Sequence, residues 1–358
     1  MEIGIIGLPS SGRTTLFEAL TGAKPETRGG VAVNVGVAKV PDKRLEGLNK
    51  MFQPKRMVLA EIKYTDIVGG FGKGGMGGQL LTQLSKVDAF IHVVRLFEDA
   101  SIPHAEGSLN PLRDVESFDL ELAYSDMAII EKRLKRIEET LKGAKSHERE
   151  PLLKEQALLE RIKKELEREV PLWQQELTAE ESKLLDNYQF LTAKPMLVVL
   201  NLGEEQIGQV SAEEAKLMAS YKRPNFKVIA LCTKLEKELS QVSEAEAEDF
   251  RTSYGLSEPG INRLMRVSYD LLGLLSFFTV GEDEVKAWTI RRGTPALKAA
   301  GKIHTDIERG FIRAEVIAYD ELMKCGSLAE ARRHGVLRLE GKGYIVLDGD
   351  VITFLFNV

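Results

Sequence analysis

Cysteine is scarce: Cys232 and Cys325 are the only two in 358 residues. Two thiols exclude a disulfide framework and fit a reducing cytosol. Long apolar runs are missing too, and no stretch is long enough to cross a bilayer. The opening MEIGIIGLPSSGRTTLF lacks the charged n-region and long h-region of a secretory signal. Neither sign of charge dominates. The net charge is −5, so any nucleic-acid contact has to use a local patch. His and Cys do not cluster at metal-ligand spacing, which sets a metalloenzyme aside. What remains is globular material, 43% hydrophobic and 29% charged. At roughly 150 residues per domain this length predicts two or three domains. The expectation is a multidomain cytoplasmic protein that engages neither membrane nor DNA.

Short apolar runs mark the strands. Glu2–Gly7 (EIGIIG), Ala89–Val94 (AFIHVV), Pro195–Leu200 (PMLVVL) and Phe226–Leu231 (FKVIAL) read as buried strands alternating with helices. That alternation predicts an α/β fold with a mostly parallel sheet covered on both faces. Between Leu120 and about Leu191 the texture shifts to Glu, Lys, Arg and Leu. Ile130, Leu134, Ile137 and Leu141 form one helical stripe, and Leu152, Leu159, Ile162 and Leu166 form another. With a turn over Gly143 to His147, they predict an inserted antiparallel hairpin whose charges form a solvated face. From about Ser276, short strands at Val285–Ile290, Ile312–Ile317, Tyr344–Leu347 and Val351–Phe356 predict a small mixed β domain. The DGD at Asp348–Asp350 is the turn before the last of them. The division is 1–121 and 195–275 for the sheet domain, 122–194 for the hairpin and 276–358 for the β domain.

Gly7-Leu8-Pro9-Ser10-Ser11-Gly12-Arg13-Thr14-Thr15 follows the first strand and opens the helix Thr14 to Thr21. The spacing is that of the phosphate loop G-x-x-x-x-G-K-[ST], with arginine where lysine belongs. The glycines let backbone N–H groups wrap phosphates, the helix N-terminus favours their charge, and Thr14 is placed for Mg²⁺. Arg13 is not a trivial change. It either loses a charge-assisted contact, at about 1.5–3 kcal/mol, or forks across two phosphate oxygens. The sequence leaves both open.

Asp66-Ile67-Val68-Gly69 fits D-x-x-G, in which the aspartate holds the Mg²⁺ shell and the glycine N–H senses the γ-phosphate. Seven glycines in the ten residues from Gly69 to Gly78 read either as a ligand-ordered loop or as a linker. Asn201 and Glu204, just after a strand, stand where N-K-x-D reads a base, with glutamate for aspartate and no lysine. A loop cap is the competing reading of Asn201. Leu231, Cys232 and Thr233 would complete the surroundings of the base.

These elements, with NVGVAKVPDKRL at Asn34–Leu45, HVVRLFED at His92–Asp99 and NPLRD at Asn110–Asp114, resemble the Obg-like ATPase subfamily of translation-factor GTPases, often called YchF. The C-terminal FFTVGEDEVKAWTIRRGTPALKAAGKIHTDIERGFIRAEVI is similar to that family's ubiquitin-like TGS domain. The resemblance implies a Ras-like P-loop G domain with a helical-hairpin insertion and a TGS domain. It also implies ATP preference over GTP, slow Mg²⁺-dependent hydrolysis and association with ribosomes. A catalytic histidine of the family maps onto His104, and its hydrophobic substitute for glutamine maps onto Gly70. The first-switch threonine maps onto Gly30. Lys286, Arg291, Arg292, Lys298, Lys302, Arg309 and Arg313 read either as a basic patch for ribosomal RNA or as scattered solubility charges. Two functions follow: a Mg²⁺-dependent ATPase or GTPase acting at the ribosome, or a degenerate G domain that keeps ribosome contact with little turnover.

Overall fold

The computed structural model describes residues 1–25, 32–68 and 78–357. The chain divides into two compact units, Met1–Gly36 with Lys63–Ile261, and Val37–Ile62 with Asn262–Val358. The first holds most of a six-stranded sheet. Its strand order is Ala32–Val40, Ala60–Val68, Glu2–Ile6, Ala89–Arg95, Met196–Asn201 and Phe226–Leu231. Every pairing from Ala60–Val68 onward is parallel. The apolar runs do what continuous β-branched segments do when both faces are covered: Ile5, Ile6, Phe90, Val93, Val198 and Val199 are fully buried. Register matters for the site, because Ile5 lies opposite Asp66 and Arg95 opposite Asn201. Side chains more than fifty residues apart are thereby brought to one edge of the sheet.

A single helix, Pro111–Gly143, carries the chain from the sheet into the hairpin. It begins well before the charged texture at Leu120, because Asn110 caps it: the Asn110 side chain accepts from Arg113 N at 3.1 Å, with Pro111 at the first helical position. The returning helix Ser146–Leu166 buries Leu159 and Ile162 against Ile130 and Ile137. At the foot of the hairpin, Asp126 accepts from Leu191 N, Thr192 N and the Thr192 hydroxyl at 2.7–2.9 Å. Burial pushes the Asp126 carboxyl up to about 6 against those bonds.

The second unit has a mixed sheet, in the order Arg338–Glu340, Phe311–Ala318, Asp350–Phe356, Leu274–Val280, Glu284–Arg291 and Arg56–Val58. The helix Ala296–Ile303 closes one face over Phe277, Val316 and Ile352. The strand expected at Tyr344–Leu347 does not form; Ile345 makes only an isolated bridge to Pro295. Its backbone is engaged elsewhere. Leu347 N donates to Asp350 Oδ2 at 2.9 Å and Val346 N to Thr294 O at 3.1 Å, so the segment folds into the turn at Gly349.

Candidate nucleotide-binding site

The first strand ends at Ile6, and six residues separate it from the helix Arg13–Thr21. Between them Ser10 takes a left-handed conformation, φ 61°, and Gly12 does so at φ 93° as the helix N-cap. Close approach explains both glycines. A Cβ on Gly7 would lie 2.5 Å from Val93 O, and one on Gly12 would collide with Asn201 Nδ2. Ser11 is buried, and its hydroxyl makes no hydrogen bond, leaving a polar atom inside the loop.

Asn201 closes the loop against the rest of the site. Its Nδ2 donates to Ser11 O at 2.8 Å, and its Oδ1 accepts from Thr233 N at 3.0 Å. One carboxamide thus ties the phosphate loop to the segment after Leu231. It is more than a loop cap, because it joins the ends of three parallel strands. One amide hydrogen and one lone pair remain for a ligand.

A cleft of about 990 Å³ opens at this strand edge. Ser10, Gly12 and Thr15 border it on one side, Asn201 and Glu204 on another, and Cys232, Thr233 and Lys234 on a third. It lies beyond the carboxyl ends of parallel strands, where open α/β sheets receive ligands. Glu204 does not stand alone: Lys234 Nζ contacts its Oε1 at 2.8 Å. A lysine from the next strand end thus supplies the cation that the N-L-G-E stretch lacks.

The sequence reading missed the fourth wall, Phe97 to Ile102. Arg95 builds it. This buried guanidinium donates to Phe97 O at 3.1 Å, Asp99 O at 3.2 Å and Ile102 O at 2.8 Å, and lies over the Phe97 ring. A charged residue ending an otherwise apolar strand was the available signal.

Arg13 is engaged within the protein itself. It turns to Asp66: Nε lies 2.7 Å from Oδ1 as a charge contact without hydrogen-bond alignment, and Nη1 donates to Gly7 O at 3.2 Å. The other oxygen of Asp66 accepts from Thr14 Oγ1 at 3.2 Å and from Asn34 Nδ2 at 3.3 Å. Asn34, unmarked as a site residue in the sequence, belongs to this cluster. Thr14 and Asp66, the two residues expected to hold Mg²⁺, are therefore in contact. Thr14 spends its proton on Asp66 and keeps lone pairs for a cation, but both Asp66 oxygens face protein donors. The residues fit Mg²⁺ only if Arg13 gives way.

His104 is not brought into the cleft. Its Nδ1 accepts from Glu106 N at 3.1 Å, and its Nε2 faces Asp114 Oδ2 at 3.3 Å. That pattern assigns the proton to Nε2. Gly69, Gly70 and Gly30 lie outside the described residues. In the second unit, Arg292, Lys298 and Arg309 each face a carboxylate, Asp270, Glu308 and Asp306 respectively, and Lys286 lies 3.8 Å from the Trp288 ring centroid.

The family model YchF-GTPase_C, described as "Protein of unknown function (DUF933)", matches residues 274–357. The chain is 41% identical over 368 residues to the ribosome-binding ATPase YchF of Bacillus subtilis (strain 168), covering 100% of both. It is 37% identical to the protein of that name from Escherichia coli O157:H7, covering 100% of this chain and 99% of the other. The solved YchF GTPase of Schizosaccharomyces pombe aligns with a TM-score of 0.86 at 29% identity, over 99% of this chain and 97% of that one. Full-length likeness in sequence and fold, with the phosphate loop at the strand edge, means that the chain belongs to the YchF subfamily of P-loop GTPases.

Proposed function

We propose that this protein binds and slowly hydrolyses ATP, in preference to GTP, and works at the ribosome in the cytoplasm. The observation that carries the reading is the Asn201 bridge between Ser11 O and Thr233 N, which holds a phosphate loop beside a cleft sized for a nucleoside. In this reading Gly7 to Thr15 wrap the phosphates, and Asn201, Glu204 and Leu231 to Thr233 surround the base, with Gly69 as the γ-phosphate sensor. The charge of the phosphates falls at the N-terminus of Arg13–Thr21, where the helix dipole favours it. Mg²⁺, held by Thr14 and Asp66 when bound, would offset charge developing on the transferred phosphoryl group. His104 would reach the phosphates only after leaving Asp114. The ribosome and ATPase assignments rest on the names of the relatives. The domain reading, a G domain interrupted by a hairpin at 122–194 and followed by a TGS domain from 276, belongs to the same proposal.

The occupied Asp66 favours slow turnover. Phosphate release from ATP and GTP, with and without ribosomes, tests the reading. Slow release, faster with ATP and lost in Asp66→Asn, is expected, together with co-sedimentation with ribosomes. Release no greater than that of Asp66→Asn supports the degenerate binding protein instead.

A further inference from the structure

Lysine carries its charge at the tip of its side chain, whereas arginine carries a donor partway along. The structure uses that difference. The contact with Asp66 comes from Arg13 Nε, at 2.7 Å, while Nη1 reaches Gly7 O. A lysine following the same path would place a methylene against Asp66 and leave its Oδ1 bare. Asp66 is fully buried, and the Arg13 side chain is only 12% exposed. With Thr14 and Asn34 on Oδ2, the carboxylate is surrounded by donors from this chain. Mg²⁺ demands oxygen ligands in near-octahedral order and gives up its waters reluctantly, so it enters such sites through a free carboxylate and the phosphates. Here the carboxylate is taken.

We propose that Arg13 is the resident counter-cation of the site: its guanidinium balances Asp66 in place of a divalent ion, so nucleoside diphosphate binds with little dependence on Mg²⁺. The inference rests on the nucleotide-binding reading and deepens it. A bare carboxylate beside a diphosphate repels it, and a metal ion ordinarily relieves that repulsion. Arg13 relieves it from within the fold. Chemistry that draws on Mg²⁺ then requires the guanidinium to leave Asp66.

The test is the affinity for a fluorescent methylanthraniloyl ADP, measured on the full chain in excess Mg²⁺ and in excess EDTA, for the parent and for Arg13→Lys. The parent is expected to show affinities within threefold of each other. The variant, with Oδ1 uncovered, is expected to lose tenfold or more on metal removal. A parent ratio above threefold overturns the proposal whatever the variant does, as does a variant ratio equal to the parent's. Absence of binding in every arm overturns the nucleotide reading and this inference together.

Discussion

Asn201 and His92 show how single residues set the energetics here. Truncating Asn201 to alanine orphans the Ser11 carbonyl and the Thr233 N–H, both drawn together by its carboxamide. At about 1–3 kcal/mol per buried unsatisfied group, Asn201→Ala is expected to lower the urea midpoint and to abolish nucleotide binding. An unchanged midpoint would show that the bridge does not hold the loops. His92 lies fully within the sheet beside Phe118, 4.7 Å between ring centroids, and burial pulls its pKa down to about 3. Between pH 6.5 and 3 the unfolded chain binds a proton that the folded chain refuses, so stability falls as pH drops, by about 1.4 kcal/mol per unit. From pH 7.5 to 5 the parent should therefore lose about 2 kcal/mol more than His92→Phe in urea unfolding; equal losses would contradict the burial argument. The strand, the loop glycines and the helix around Gly7, Gly12 and Thr14 were legible because spacing alone defines a phosphate loop. The partner of Arg13 was not, since Asp66 arrives beside Ile5 only through strand register.

At the scale of elements, amphipathic spacing was the dependable signal. The two stripes of the hairpin pack against each other as written, with Ile130, Ile137, Leu159 and Ile162 fully buried. Leu159→Ala should cost about 2–5 kcal/mol and raise amide exchange along Ser146–Leu166. Nucleotide affinity should not move, because Leu159 lies outside the cleft lining. A loss of affinity would mean that the hairpin supports the site. Short apolar runs were less secure. YIVL at Tyr344–Leu347 has the composition of a strand, yet its N–H groups are claimed by Asp350 and Thr294. Composition does not reveal which acceptor a backbone donor will find.

For the whole molecule, the parallel sheet and a small mixed β region were readable from the alternation of runs and helices. The assignment of Val37–Ile62 to the second compact unit was not. Its strand Arg56–Val58 pairs with Glu284–Lys286, more than two hundred residues away, and no local pattern announces such a partner. The basic patch read along the second unit is partly neutralised, since Arg292, Lys298 and Arg309 each face an acid. Ribosome contact therefore has less free cationic charge to draw on than a count of lysine and arginine suggests. Everything functional depends on whether the cleft takes a nucleotide. Calorimetric titration of the nucleotide-stripped chain with ATP and with GTP in Mg²⁺ measures that directly. One site with a micromolar Kd for ATP and weaker binding of GTP is the predicted result. No heat with either nucleotide, from a folded protein, would contradict it.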